Sequence, residues 1–167
     1  SHFEQMPKIA TLLSRLKREG NRGEGAWIVV DVGDHMDRGR METEGTGGMA
    51  NRAVLEATGY QVITLGNNEL LTFPREDLDR VYADVPFSVV GTNIEAIRGE
   101  CPAWLKKWTV REVDGVRVGF LGATIPYPVF YELMGWRLSD PLKVLSEWVP
   151  RIRKKVDIIV LLSHLGL

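Results

Sequence analysis

Cysteine is almost missing from this sequence: Cys101 stands alone. No disulfide can close within the chain; cysteine usage does not set the compartment, with a reducing, cytoplasmic one compatible and slightly favoured and a secreted or cell-surface one the alternative. Long apolar runs are missing as well. None approaches the ~18 residues of a membrane-crossing helix, so no membrane segment is expected. Neither sign of charge is in excess. Lys and Arg number 21 against 22 Asp and Glu, a net charge of -1, which removes the basic footprint that a nucleic acid polymer would need. Repeats and low-complexity tracts are absent. So is the GxGxxG fingerprint, and the glycine-rich stretch 42–48 lacks the GK[ST] ending of a phosphate-cradling loop. Those two absences disfavour a metal-free nucleotide-binding domain.

What is present is the composition of a folded domain. A hydrophobic fraction of 44% with 26% charged residues excludes disorder, and 167 residues suffice for one domain with a core. Ile28, Val29 and Val30 predict a short strand buried on both faces. Residues 61–65, QVITL, and the run 87–90 predict two more. Residues 157–162, DIIVLL, predict a fourth buried strand.

Helical spacing fills the intervals. Behind Pro7, the residues Ile9, Leu12, Leu13 and Leu16 predict an amphipathic helix ending near Gly20. A second helix presents Met49, Ala53, Val54 and Ala57 inward and stops at Gly59. A third spans 73–85 with Pro74 in its first turn. A fourth starts at Ser139-Asp140-Pro141, carries Leu142, Leu145, Trp148 and Ile152, and is kinked or ended by Pro150. Asp114-Gly115 between two alternating runs is a hairpin signal, and 124–131 reads as a loop. The alternation of strand and helix argues for mostly parallel strands with one antiparallel hairpin, an α/β fold.

Three predicted strands empty into polar clusters next to a glycine. The first yields Gly33, Asp34, His35, Asp37 and Arg38; the second Gly66, Asn67, Asn68 and Glu69; the last Ser163, His164 and Gly166. Parallel strand ends open on one edge of a sheet, where open α/β folds place their sites. A carboxylate, an amide oxygen and an imidazole together suit a divalent ion. Asp34, with two carboxylate oxygens, could bridge two ions. Each residue also has a plain structural reading. Asp34 could cap a helix, Asn67 the next turn, and His164 could bond within the core. All three holding at once is the less economical account.

Three stretches carry a resemblance: GDHMDRG at 33–39, GNNE at 66–69 and SHLG at 163–166. Together they resemble the calcineurin-like metallophosphoesterases, and within them the bacterial 5′-nucleotidase and 2′,3′-cyclic-nucleotide phosphodiesterase branch. The segment 2–13, HFEQMPKIATLL, resembles the stretch after that branch's first motif.

The resemblance implies an αββα sandwich with two divalent metal ions at its strand ends, of Mn, Zn, Fe, Co or Mg. It implies Asp34 as the bridging metal ligand, and Asn67 and His164 as ligands of the second ion. Asp37 would then be supporting and Arg38 phosphate-facing. Asn68 stands where many relatives have a catalytic histidine, and takes the catalytic place here. An amide can donate a hydrogen bond there but supplies no proton near neutral pH.

The family's opening Asp-x-His and closing Gly-His-x-His motifs are not in the chain, nor is its C-terminal substrate-binding domain. Residues 1–167 are therefore expected to form one partial catalytic domain, weak or inactive by itself. His2 is a distant candidate for an opening ligand. The expected activity is hydrolysis of phosphate esters, nucleotides foremost, by a hydroxide that two metals activate. The alternative is a catalytically degraded module that binds partners or acts as a scaffold.

Overall fold

The computed structural model describes residues 2–20 and 27–166, the side chain of His2 excepted. In chain order the elements are α1 (His2–Gly20), β1 (Val30–Asp31), α2 (Met41–Glu44), α3 (Met49–Thr58) and β2 (Val62–Thr64). Next come α4 (Asn67–Thr72), α5 (Arg75–Tyr82), β3 (Ser88–Val90), β4 (Ile94–Ala96) and β5 (Leu105–Lys106). The last are β6 (Thr109–Val113), β7 (Val116–Thr124), α6 (Pro128–Leu133), β8 (Trp136–Leu138), α7 (Pro141–Arg153) and β9 (Ile158–His164).

β1, β2, β3 and β5 pair in that order, all parallel. A second sheet has the order β6-β7-β9, antiparallel within the hairpin and parallel between β7 and β9. β4 and β8 form a separate antiparallel pair. At the hairpin tip Asp114 and Gly115 have φ of 51° and 77°, the left-handed pair that a two-residue turn of this twist requires.

The two larger sheets face each other. Successive β2 residues point to opposite faces. Val62 joins Val90, Phe120 and Leu162 in the apolar layer between the sheets. Ile63 points the other way, into a larger core with Leu55, Leu65, Leu70, Leu78 and Val89. β2 is therefore covered on both sides, which is why its run is wholly apolar or hydroxylic rather than alternating.

Hydrogen bonds lace the sheets together near their C-terminal ends. Thr92 N–H donates to Gly122 O (2.8 Å), and Gly122 N–H donates to Thr92 Oγ1 (3.0 Å). Asn93 Nδ2 donates to Thr124 O (2.8 Å), and Thr124 N–H returns a bond to Asn93 Oδ1 (3.0 Å). The sheets approach so closely at Gly122 that a Cβ there would lie 2.5 Å from Thr64 Oγ1 and 2.9 Å from Val90 C. Gly122→Ala is expected to cost about 1–3 kcal/mol through forced separation of the layers. A denaturation midpoint equal to wild type would show that the layers part freely.

Several sequence expectations are corrected. The first strand is Val30–Asp31, not 28–30, because the ladder with β2 starts at Val30↔Val62. α1 runs through Pro7, whose missing N–H removes a single backbone bond near the helix start. The inward face of α3 is Asn51, Leu55 and Thr58; Asn51 turns in because its Nδ2 donates to His35 O (2.8 Å). The helix expected over 73–85 is α5, and GNNE opens a separate helix, α4. Proline at 74 holds Phe73 extended (φ −110°, ψ 125°) and breaks the two apart.

Part of the expected loop 124–131 is α6, started by Pro128. α7 continues past Pro150 to Arg153, and its Leu142 faces solvent. β9 is not buried on both faces: Ile158 and Leu161 are exposed. No helix among the described residues is long and apolar enough to cross a membrane.

Candidate metal centre

β1 ends at Asp31, and the chain turns through two residues of positive φ, Gly33 (96°) and Asp34 (60°). Aspartate tolerates this region better than most residues with a Cβ. Gly33 packs directly on the loop after β2: a Cβ on it would lie 2.5 Å from Gly66 N and 2.8 Å from Gly66 Cα. Gly66 is confined in return, since its own Cβ would lie 2.5 Å from Asp34 N and 2.8 Å from His164 Cε1. Two glycines thus let the ends of β1 and β2 touch backbone to backbone, with the end of β9 against them.

The side chains converge as a result. His164 Nδ1–H donates to Val32 O (2.8 Å), which assigns the proton of that nitrogen and turns Nε2 inward. Nε2 lies 3.0 Å from Asn67 Oδ1 and 3.3 Å from Asp34 Oδ1. Asn67 keeps its oxygen toward the histidine, with Nδ2 3.5 Å from Asn68 Oδ1. Two oxygen lone-pair atoms this close to an unprotonated Nε2 repel it unless a proton or a cation lies between them. Separations of about 3.0–3.4 Å are those of ligands that each stand about 2.1 Å from a shared ion. The donor set therefore fits a divalent cation, and the side chains of Asp34 and His164, 33% and 19% exposed, leave it reachable from solvent.

Sequence reasoning placed these three on one sheet edge. Asp34 and Asn67 do follow neighbouring strands of the parallel sheet, but His164 comes from β9 of the other sheet, so the site spans both layers. Among the described residues no three His, Cys, Asp or Glu side chains cluster to hold a metal. The set is two such residues completed by an amide. Asp37 accordingly does not enter it. Nor does His35, which is buried.

Arg38 and Asn68 form a pair beside the cluster. Arg38 Nε donates to Asn68 Oδ1 (3.0 Å), and Asn68 N–H donates to Asp34 Oδ1 (2.8 Å).

Sequence reasoning missed what holds the loops. Glu69 is fully buried and accepts three backbone bonds: from Asp34 N–H (3.0 Å) and Gly66 N–H (2.7 Å) at Oε2, and from Met36 N–H (2.8 Å) at Oε1. An acid three residues after the residue that starts a helix is the capping signal that could have found it. Behind it, His35 Nδ1 bonds Asp31 Oδ1 (2.9 Å) and Nε2 bonds the Tyr82 hydroxyl (2.7 Å), whose own proton is directed to Met36 Sδ (3.4 Å). This pattern uses both imidazole protons. Burial pulls the His35 pKa down, but the Glu69 and Asp31 carboxylates outweigh that and raise it to about 9. Burial, then the same two acids, holds the Tyr82 hydroxyl well above its ordinary value.

No family model matches the chain. It is 36% identical over 168 residues to YunD of Bacillus subtilis, an uncharacterized metallophosphoesterase; the match takes in the whole of this chain and 36% of YunD. The crystal structure of a 5′-nucleotidase precursor from Thermus thermophilus superposes with a TM-score of 0.78 at 27% identity, over 94% of this chain and 31% of that one. The sulfate thiohydrolase SoxB, also from a Thermus, superposes at 0.79 with 21% identity, over 95% of this chain and 29% of that one. The last shares the fold alone, and its different substrate shows that the fold does not set the substrate. The chain spans about a third of the length of these relatives. Sequence and fold agree, and the chain belongs to the calcineurin-like metallophosphoesterases, in the branch that holds the 5′-nucleotidases.

Proposed function

We propose that the protein containing this chain hydrolyses phosphate esters, with nucleotides as the substrate class, and that residues 1–167 are part of its catalytic domain. The observation that carries the reading is the approach of His164 Nε2, from one sheet, to Asn67 Oδ1 (3.0 Å) and Asp34 Oδ1 (3.3 Å) at strand ends of the other. In this reading Asp34, Asn67 and His164 would hold divalent cations, with the two carboxylate oxygens of Asp34 available to be shared between two ions and Asn67 and His164 on the second. Such ions, when bound, supply Lewis acidity to phosphoryl oxygens and lower the pKa of a bound water.

The chain's own side chains do the rest. Asp34 is held in its positive-φ conformation by the Glu69 carboxylate on its N–H. Val32 O fixes the His164 ring through Nδ1, so Nε2 keeps one direction. Asn68 offers its amide N–H groups to a phosphoryl oxygen, and the guanidinium of Arg38 offsets phosphate charge.

The test is phosphate release by the whole protein from nucleoside monophosphates and 2′,3′-cyclic nucleotides with Mn²⁺. Release that EDTA abolishes and Mn²⁺ restores is the expected result. No release from any of them would leave the chain as a degraded module of the same fold.

A further inference from the structure

The polar pair beside the cluster holds more than a phosphate contact. Arg38 has only donors, so the Asn68 atom facing its Nε is the oxygen. Asn67 Nδ2 approaches the same oxygen (3.5 Å). The amide is thereby locked, its oxygen consumed, and Asn68 Nδ2 makes no hydrogen bond among the described residues. Both groups of the pair are fixed donors. A guanidinium stays protonated throughout the working pH range, and an amide has no proton to give. Among the described residues, three other proton carriers are engaged. His35 is buried with both ring nitrogens bonded. His164 has one nitrogen on Val32 O and the other among the three ligands. The Tyr131 hydroxyl is bonded to Ile125 O (2.9 Å).

Resting on the hydrolase reading above, we infer that this site selects substrates by the acidity of their leaving group, favouring phosphoanhydrides over alkyl monoesters, because Arg38 locks Asn68 as a donor without a transferable proton. Hydrolysis forms a bond from a water oxygen to phosphorus and breaks the bond from phosphorus to the leaving oxygen. The electron pair of that bond goes with the leaving oxygen, and the proton shed by the water passes to solvent. Without an acid, the leaving oxygen departs as an anion. A departing phosphate, with its second pKa of about 6, does so readily. A phenolate at about 10 is intermediate. An alkoxide, near the ~15.7 of water, is poor. An acid levels such differences and is worth about 10²–10⁴-fold for the worst leaving groups.

The experiment uses the whole protein with Mn²⁺ and a series running from ADP through substituted phenyl phosphates to AMP and methyl phosphate. kcat/KM is expected to fall by about 10²–10⁴-fold from ADP to methyl phosphate, with the phenyl phosphates in between in order of leaving-group pKa. Asn68→Ala is expected to lower every rate by about tenfold with the slope unchanged. Calorimetry should show orthophosphate bound about tenfold more weakly by Asn68→Ala. A shallow slope in the wild type would overturn the inference and leave the hydrolase reading standing, since it would reveal an acid. A slope that steepens in Asn68→Ala, or orthophosphate affinity left unchanged, would also overturn it. Failure to hydrolyse any compound in the series would sink the hydrolase reading and the inference with it.

Discussion

Asp34→Asn is expected to lower phosphoester turnover by the whole protein about a thousandfold or more while leaving it folded. The substitution is nearly isosteric. Asparagine also tolerates the φ of 60° found here, and its side-chain oxygen can still accept from Asn68 N–H, as Asp34 Oδ1 does at 2.8 Å. What goes is the negative charge, and with it the ability to offer two equivalent oxygens to cations. In the proposed mechanism cations held there would supply several kcal/mol of transition-state stabilisation, and each ~1.4 kcal/mol is a factor of ten. Parallel measurement of Mn²⁺ affinity and of thermal midpoint separates chemistry from folding. Affinity should drop, and the metal-free midpoint should move by no more than a few degrees. Turnover kept within tenfold of wild type would remove Asp34 from the mechanism.

Glu69→Ala carries the largest expected loss of stability, about 3–5 kcal/mol. The carboxylate is buried and satisfies Asp34, Met36 and Gly66 N–H at once. Truncation leaves three donors without acceptors, removes a negative charge 4.0 Å from His35 Nε2, and opens a void under the loops. The thermal midpoint of the metal-free protein should fall by about 10 °C. Metal affinity should fall with it, because Asp34 loses the bond that keeps its backbone in place. Glu69→Gln separates the contributions. It fills the same volume, but it puts an amide NH₂ against at least one backbone donor, so a smaller loss in the same direction is expected. An alanine variant as stable as wild type would mean that the loops are held by the glycine packing alone.

These two residues mark what was readable from sequence and what was not. That Asp34, Asn67 and His164 approach one another could be expected because each follows an apolar run and a glycine or serine, a pattern carried by local sequence. The parallel pairing of β1, β2 and β3 followed from the alternation of strand and helix, and the hairpin from Asp114-Gly115. Glu69 looked like one more exposed acid at a helix start. Nothing local reveals that 34 and 66 lie against each other, and only that approach gives its carboxylate three donors. The inward face of α3 was misread for a similar reason. Asn51 is polar and scored as outward, yet a carbonyl at His35 draws it into the core. The division of strands between two sheets depends on which strands exchange hydrogen bonds over long range. Apolar character alone could not separate β9 from β1 and β2, so His164 was expected on the wrong layer.

That layer matters for how the molecule can respond to strain. Two of the converging atoms ride on one half of the sandwich and the third on the other, with Gly122 as a close bearing point between them. A cation gripped by all three would act as a rivet through the laminate, and loss of the rivet would free the halves to shear. Amide exchange along β2 and β9 would then slow on loading with Mn²⁺, most of all at the ends nearest Thr64 and His164.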